Sequence, residues 1–264
     1  MQMKHRVALN GVHLDSVDDR IMINRVDTGD GKMNIATVSL PEDGSRVTAI
    51  NRDSIDITVK FFIRLKKRRM EEREAVLEKV NAWAFGGGIL TTNFKSNRRI
   101  RVFMAQAAVA GDPWEWTKEY IIVFRACGIP YWQQDDPANV MRTNISSGTL
   151  TIGVDGSAKT VIEATFKNTS GATINTFTIN TGESSMSFTG LGLANGETLV
   201  IDHEDNGKKC FLRLAIQGSG GVRRSVMNKR TGSDDLYISP GVHGVSFTAG
   251  GAGQITISCR GRFA

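Results

Sequence analysis

The sequence predicts a mainly β protein of two modules: a β-rich N-terminal one carrying one α-helix, then an antiparallel β-sandwich or barrel. Three observations carry that expectation. Strand-type alternation dominates the chain, one segment alone shows a strong helical period, and turn-forming residues separate many short apolar runs beyond Pro137.

In chain order, the clearest strand is Ile55-Asp-Ile57-Thr-Val59-Lys-Phe61-Phe-Ile63-Arg-Leu65. Its odd positions are all apolar, so one face of a pleated strand is buried. Shorter alternations recur at Ile21–Ile23, Ile100–Met104 and Tyr120–Phe124. Residues Met70 to Phe85 read as a helix. Val76, Leu77, Val80, Trp83 and Ala84 fall on one face at 3.6 residues per turn. Glu71, Glu72 and Glu74 sit near the positive end of the helix dipole, and Gly86-Gly87-Gly88 stops the helix.

A linker is expected around Gly128–Pro137, dividing the chain into domains 1–134 and 135–264. Beyond it, short strands are expected at Val161–Phe166, Phe177–Ile179, Met186–Phe188, Leu199–Ile201, Val245–Phe247 and Ile255–Cys259. Turn signals at Ala194-Asn-Gly196, Asp205-Asn-Gly207, Pro240-Gly241 and Gly250–Gly253 separate them.

Composition narrows the function classes. The chain has 264 residues, 40% hydrophobic and 23% charged, as in ordinary globular proteins. No stretch reaches the roughly 18 apolar residues of a membrane helix, and the first ten residues lack the apolar run of a secretory leader. Synthesis in a cytoplasm without membrane insertion is the expectation. The net charge is +6, and the excess lies in the first half, with 21 basic against 16 acidic residues through Gln134. That is sparser than the basic stripe of a nucleic-acid reader. Cys127, Cys210 and Cys259 are too far apart for a zinc motif and too few for a disulfide scaffold, so reduced, packed thiols are expected.

Catalytic signatures are missing. The four histidines, His5, His13, His203 and His243, form no HxxxH or HExxH pattern. Asp202-His-Glu204-Asp205-Asn-Gly207 lacks the ligand spacing of a calcium loop and reads as an acidic hairpin turn. There is neither GxSxG nor GxxxxGK[ST]. The expectation is a non-enzyme with no cofactor and no metal.

Two basic clusters are interface candidates. Lys66-Lys67-Arg68-Arg69 follows a strand and precedes the helix; it is either a solvated connection or a contact for phosphate or an acidic partner. Arg99 and Arg101 alternate on one strand face, as an edge strand or subunit interface would present them. Trp114 and Trp116 share a strand face, either as core or as a stacking surface.

The order of the pieces carries a resemblance. Asn10-Gly11-Val-His-Leu14, the strand at Ile21–Ile23, Arg52-Asp-Ser-Ile55-Asp-Ile-Thr-Val59, the charged helix ending Val80-Asn-Ala-Trp83-Ala, Gly86–Leu90, Ile100–Met104, Trp116–Phe124 and Ile129-Pro-Tyr131 together resemble the belt domain of distal tail proteins (Dit) of long-tailed phages. Asp234–Phe247 and Ile255–Arg262 resemble the closing strands of that family's galectin-like β-sandwich, with Pro240-Gly241-Val242-His243 standing where a Pro-Gly-Asn turn is expected. The resemblance implies a β-barrel-like belt domain with one α-helix followed by a galectin-like antiparallel β-sandwich, in a structural protein of the virion tail tip. It implies a homo-hexameric ring, built by the belt domains, that joins the tail tube to the baseplate hub. Implied partners are the tail tube protein, the tape measure protein, a tail-associated hub or fibre protein and a receptor-binding protein, with DNA only as passing cargo.

Two other classes compete. A carbohydrate-binding module or adhesin fits the sandwich. Residues 135–264 contain no Trp and only one Tyr, Tyr237, so a glycan site there would lean on polar contacts. A β-sandwich glycosidase needs two carboxylates roughly 5–9.5 Å apart, and the sequence pairs none.

Overall fold

A computed structural model describes residues 5–29, 33–39, 45–52, 54–65, 70–109, 119–126, 130–205, 210–218 and 220–263. The chain divides into two compact units, Met1–Trp132 and Gln133–Ala264.

The first unit contains β1 (Val7–Leu9), β2 (Val12–His13), α1 (Leu14–Val17), β3 (Ile21–Thr28), β4 (Met33–Ser39), β5 (Ser45–Arg52), β6 (Ile55–Ile63), α2 (Met70–Ala84), β7 (Gly88–Thr92), β8 (Arg98–Gln106) and β9 (Tyr120–Ala126). Seven of these strands form a curled antiparallel sheet in the order β2-β1-β7-β8-β9-β6-β3. Alternation fixes its inner face. Ile55, Ile57, Val59 and Phe61 of β6 are buried, and so are Tyr120, Ile122, Phe124 and Ala126 of β9 opposite them. In β3 a bulge between Ile23 and Arg25 resets the pleat, so Ile21 and Ile23 are buried and then Val26.

Helix α2 lays Val76, Leu77, Val80 and Ala84 into this core. Arg73 is also buried on that side, while Trp83 is only partly covered and meets Phe124 edge-on at 5.9 Å. Two glycines end the helix: Gly86 and Gly87 take φ of +81° and +70°, and the Gly87 N–H donates to Ala84 O at 3.1 Å. The single turn α1 is a second helix that the hydrophobic period did not reveal, because four residues are too short to show one. Strands β4 and β5 pair only with each other, in register from Met33↔Arg52 to Ser39↔Ser45.

Strand β10 (Trp132–Gln134) spans the unit boundary. The second unit continues with β11 (Ala138–Val154), β12 (Thr160–Asn168), β13 (Phe177–Asn180), β14 (Ser185–Phe188), β15 (Thr198–Asp205), β16 (Cys210–Gln217), β17 (Arg223–Ser225), β18 (Arg230–Gly232), β19 (Tyr237–Ile238), β20 (Gly241–Cys259) and β21 (Arg262–Phe263). A path β17-β16-β15-β12-β20-β13-β14-β18 joins its two layers. Strand β20 is the hinge of that path. Its residues Gly253–Cys259 pair with β12, and its residues Ser246–Ala249 pair with β13. Strand β11 follows β20 along both halves and shifts register at Arg142–Ile145 and Ile145–Ser147. The core between the layers holds Phe166, Phe177, Phe188 and Phe247 with ring centroids 5.1–6.4 Å apart.

One expectation needs correction here. Gly250–Gly253 is not a turn. It lies inside β20, so Val245–Phe247 and Ile255–Cys259 are one strand. The glycines let the strand pass from one layer to the other at close quarters: a Cβ on Gly253 would sit 2.4 Å from the Phe166 ring and 2.5 Å from Lys167 O. Asp202–Asp205 end the first arm of the expected acidic hairpin. These residues belong to β15, paired with Arg213–Cys210 of β16, and residues 206–209 lie outside the described residues.

Candidate functional site

The basic run Lys66, Lys67, Arg68 and Arg69 lies outside the described residues, as do Trp114, Trp116 and Cys127. Arg99 and Arg101 stand on β8, half-buried, on the face opposite the buried Ile100 and Val102. Arg99 is opposite Thr91 and Arg101 is opposite Ile89 of β7, while β9 flanks the other side of β8. In the sheet order β8 lies between β7 and β9, and the β9 pairing runs along Phe103–Gln106, beyond the two arginines.

The same outer face of the sheet continues across β9, β6 and β3 as cross-strand ion pairs. Arg125 donates to both Asp56 oxygens, at 2.6 and 2.7 Å, and this guanidinium holds the Asp56 carboxyl below its ordinary value. Lys60 lies 3.6 Å from Asp27, which Arg25 also binds. Exposed Ile121 sits opposite Lys60. Helix α2 covers the inner face of this sheet, so the outer face is a charged and partly apolar surface.

A second ionic knot ties the elements beside it. The Asp18 side chain, only 4% exposed, accepts from Arg20 at 2.7 and 2.8 Å and from Lys79 of α2 at 3.0 Å. The Arg20 bonds, helped by Lys79, hold its carboxyl far below the usual carboxylate range against the opposing effect of burial. Asn81 of α2 exchanges two hydrogen bonds with the Ala108 backbone at 2.8 and 2.9 Å. Trp83 donates its indole N–H to Val12 O at 3.0 Å. Nothing in the spacing of Asp18, Arg20 and Lys79 announces this knot, since the last two lie 59 residues apart.

In the second unit, polar contacts converge on Tyr237. Its phenol donates to Asp235 Oδ2 at 2.8 Å, and Asp235 Oδ1 lies 3.1 Å from His203 Nε2. Its backbone N–H donates to Ser184 Oγ at 2.7 Å, and its carbonyl accepts from Thr181 Oγ1 at 2.7 Å. Next to Ser184, Glu183 pairs with Lys159 at 2.7 Å and accepts the Ser239 N–H at 2.7 Å, which lowers its pKa to about 2. The neighbouring Cys259 is buried, and burial pushes its thiol up to about 11, with the Asp155 carboxylate adding to the effect.

The histidines stay apart. His5 meets Phe94 edge-on at 6.3 Å, His13 precedes α1, and His243 faces Pro240 O. Among the described residues no three His, Cys, Asp or Glu side chains gather as a metal site, and no helix is long and apolar enough to cross a membrane. These surfaces offer ion pairs, strand edges and the exposed rings of Phe85, Phe94 and Tyr237.

No family model matches the sequence, and no curated protein matches it either. Solved structures do match. The chain superposes on the SPP1 Dit (gp 19.1) protein, described as a paradigm of the hub adsorption apparatus in phages infecting Gram-positive hosts. That match has a TM-score of 0.68, covers 98% of this chain and 99% of that one, and has 11% sequence identity. It also superposes on a chain of the phage P2 baseplate in its activated conformation with Ca, with a TM-score of 0.51, 98% coverage of both chains and 6% identity. The fold is therefore Dit-like over nearly the whole chain: a mainly β first unit with its helix, then a galectin-like sandwich.

Proposed function

We propose that this chain is a structural hub protein of a phage tail tip, forming a homo-hexameric ring between the tail tube and the host-adsorption apparatus. The observation that carries the reading is the superposition of both units, in one chain, on a phage hub protein. A likeness confined to the sandwich would have pointed equally to any lectin-like module.

In this reading residues 1–134 build the ring and residues 135–264 project from it. A ring closes through a heterologous contact, in which two different patches of one subunit meet those of its neighbours. Lys66–Arg69, with Arg99 and Arg101 on the outer sheet face, are the basic residues we assign to subunit or partner contact. The tape measure protein and then DNA pass through the opening, and the tail tube and a hub or fibre protein bind the ring's two ends. The function is scaffolding without catalysis.

Immunogold labelling of intact virions tests the placement. Antibody raised against the chain should decorate the distal end of the tail, with one cluster per particle. Label along the capsid or the whole tail shaft would contradict the reading.

A further inference from the structure

We propose that Tyr237 is a preorganised sugar-stacking platform on the second unit, a site that stands or falls independently of the hub reading. Tyr237 is 40% exposed, although its neighbours Leu236 and Ile238 are completely buried. A half-exposed tyrosine usually leaves its ring free to move in water. This one is fixed at both ends. Asp235 holds the phenol, His203 holds Asp235, and the His203 side chain is itself only 10% exposed. Thr181 and Ser184 clamp the backbone. A ring ordered before binding loses little rotamer freedom when a ligand stacks on it, which is the general advantage of rigid tyrosine contacts.

The surround favours a saccharide over a protein partner. Protein hot spots sit in apolar, desolvated patches. Here the ring is flanked by the carboxylate of Asp235, the partly exposed Ser184 and, beside them, the Glu183–Lys159 pair, while the Thr181 hydroxyl is buried and spent on the Tyr237 carbonyl. A pyranose offers a C–H face to an aromatic ring and hydroxyls to such groups. Each Asp235 oxygen makes one of the bonds given above and keeps a lone pair to accept a sugar hydroxyl. Residues 135–264 contain no tryptophan, Phe166, Phe177, Phe188 and Phe247 are spent in the core and Phe263 is half-buried, so among the described side chains of this unit Tyr237 is the exposed aromatic ring.

Saturation-transfer NMR on the full chain tests the site, with a panel of neutral hexoses, N-acetylhexosamines and their oligomers at millimolar concentration. At least one saccharide should receive saturation from the wild-type chain. Tyr237→Ala should weaken its binding by about tenfold or more. Tyr237→Trp, which keeps an aromatic face, should retain binding and guards against a loss caused by misfolding; a matching melting curve for Tyr237→Ala gives the same control. Silence across the panel with the wild-type chain overturns the proposal. So does binding that survives Tyr237→Ala within twofold.

Discussion

At the scale of single residues, Asp18 illustrates how an unremarkable side chain becomes a structural hub. It stands at the end of α1, and its two cationic partners come from the turn before β3 and from α2. Asp18→Asn should lower stability by about 2 kcal/mol. The loss stays below the roughly 3–5 kcal/mol of a fully buried pair because the Arg20 and Lys79 side chains are 32% and 54% exposed and can turn to water. The pH dependence has a definite sign. The folded carboxyl titrates below the unfolded value of about 3.9, so its contribution is complete above that value and fades as pH falls through the folded one. Thermal melts of both proteins should therefore differ at neutral pH and converge in acid; a difference that grows in acid would refute the assignment. Cys259 makes a second residue-scale prediction. Burial and a raised pKa keep it a thiol, so maleimide should leave its peptide unmodified in the native chain and label it in denaturant, as mass spectrometry would show.

At the scale of elements, the bend in β20 decides how the sandwich closes. Gly253→Ala would drive a methyl into the Phe166 ring and into Lys167 O, and the overpacking should cost about 1–3 kcal/mol. Gly153→Ala, on β11 with nothing within 4 Å of the added atom, should be neutral or slightly stabilising by calorimetry. Equal losses at the two positions would show that the bend is not the constraint. The same strand marks the limit of sequence reading. Alternation made β6 and β9 legible because one whole face of each is buried, and the 3.6-residue period did the same for α2. The first two thirds of β11 are exposed apart from isolated positions, so no period appears there. Gly250–Gly253 has turn chemistry, yet its glycines serve close approach, and only the tertiary neighbours Phe166, Ser170 and Thr176 distinguish the two uses. Arg99 and Arg101 were legible as one strand face, but which strands flank β8 is a long-range fact that no local pattern holds.

At the scale of the whole molecule, the two β-rich modules were legible in strand, helix and turn patterning, their barrel-like and galectin-like character came from the resemblance, and the Dit-like fold agrees with it across nearly the full chain despite 11% identity. The Tyr237 network illustrates the other side. Its members, Thr181, Ser184, His203, Asp235 and Tyr237, are scattered over 57 positions and come together only through the pairing of β12 with β15 and β19 and the turn between β13 and β14. The central claim is ring assembly. The most direct test is the mass of the purified chain by light scattering, read together with negative-stain images of the same sample. The account predicts six copies of the 28.8 kDa chain, about 173 kDa, appearing as rings with a central hole. A chain that stays monomeric across a wide concentration range, and also when purified tail tube protein is added, would contradict it.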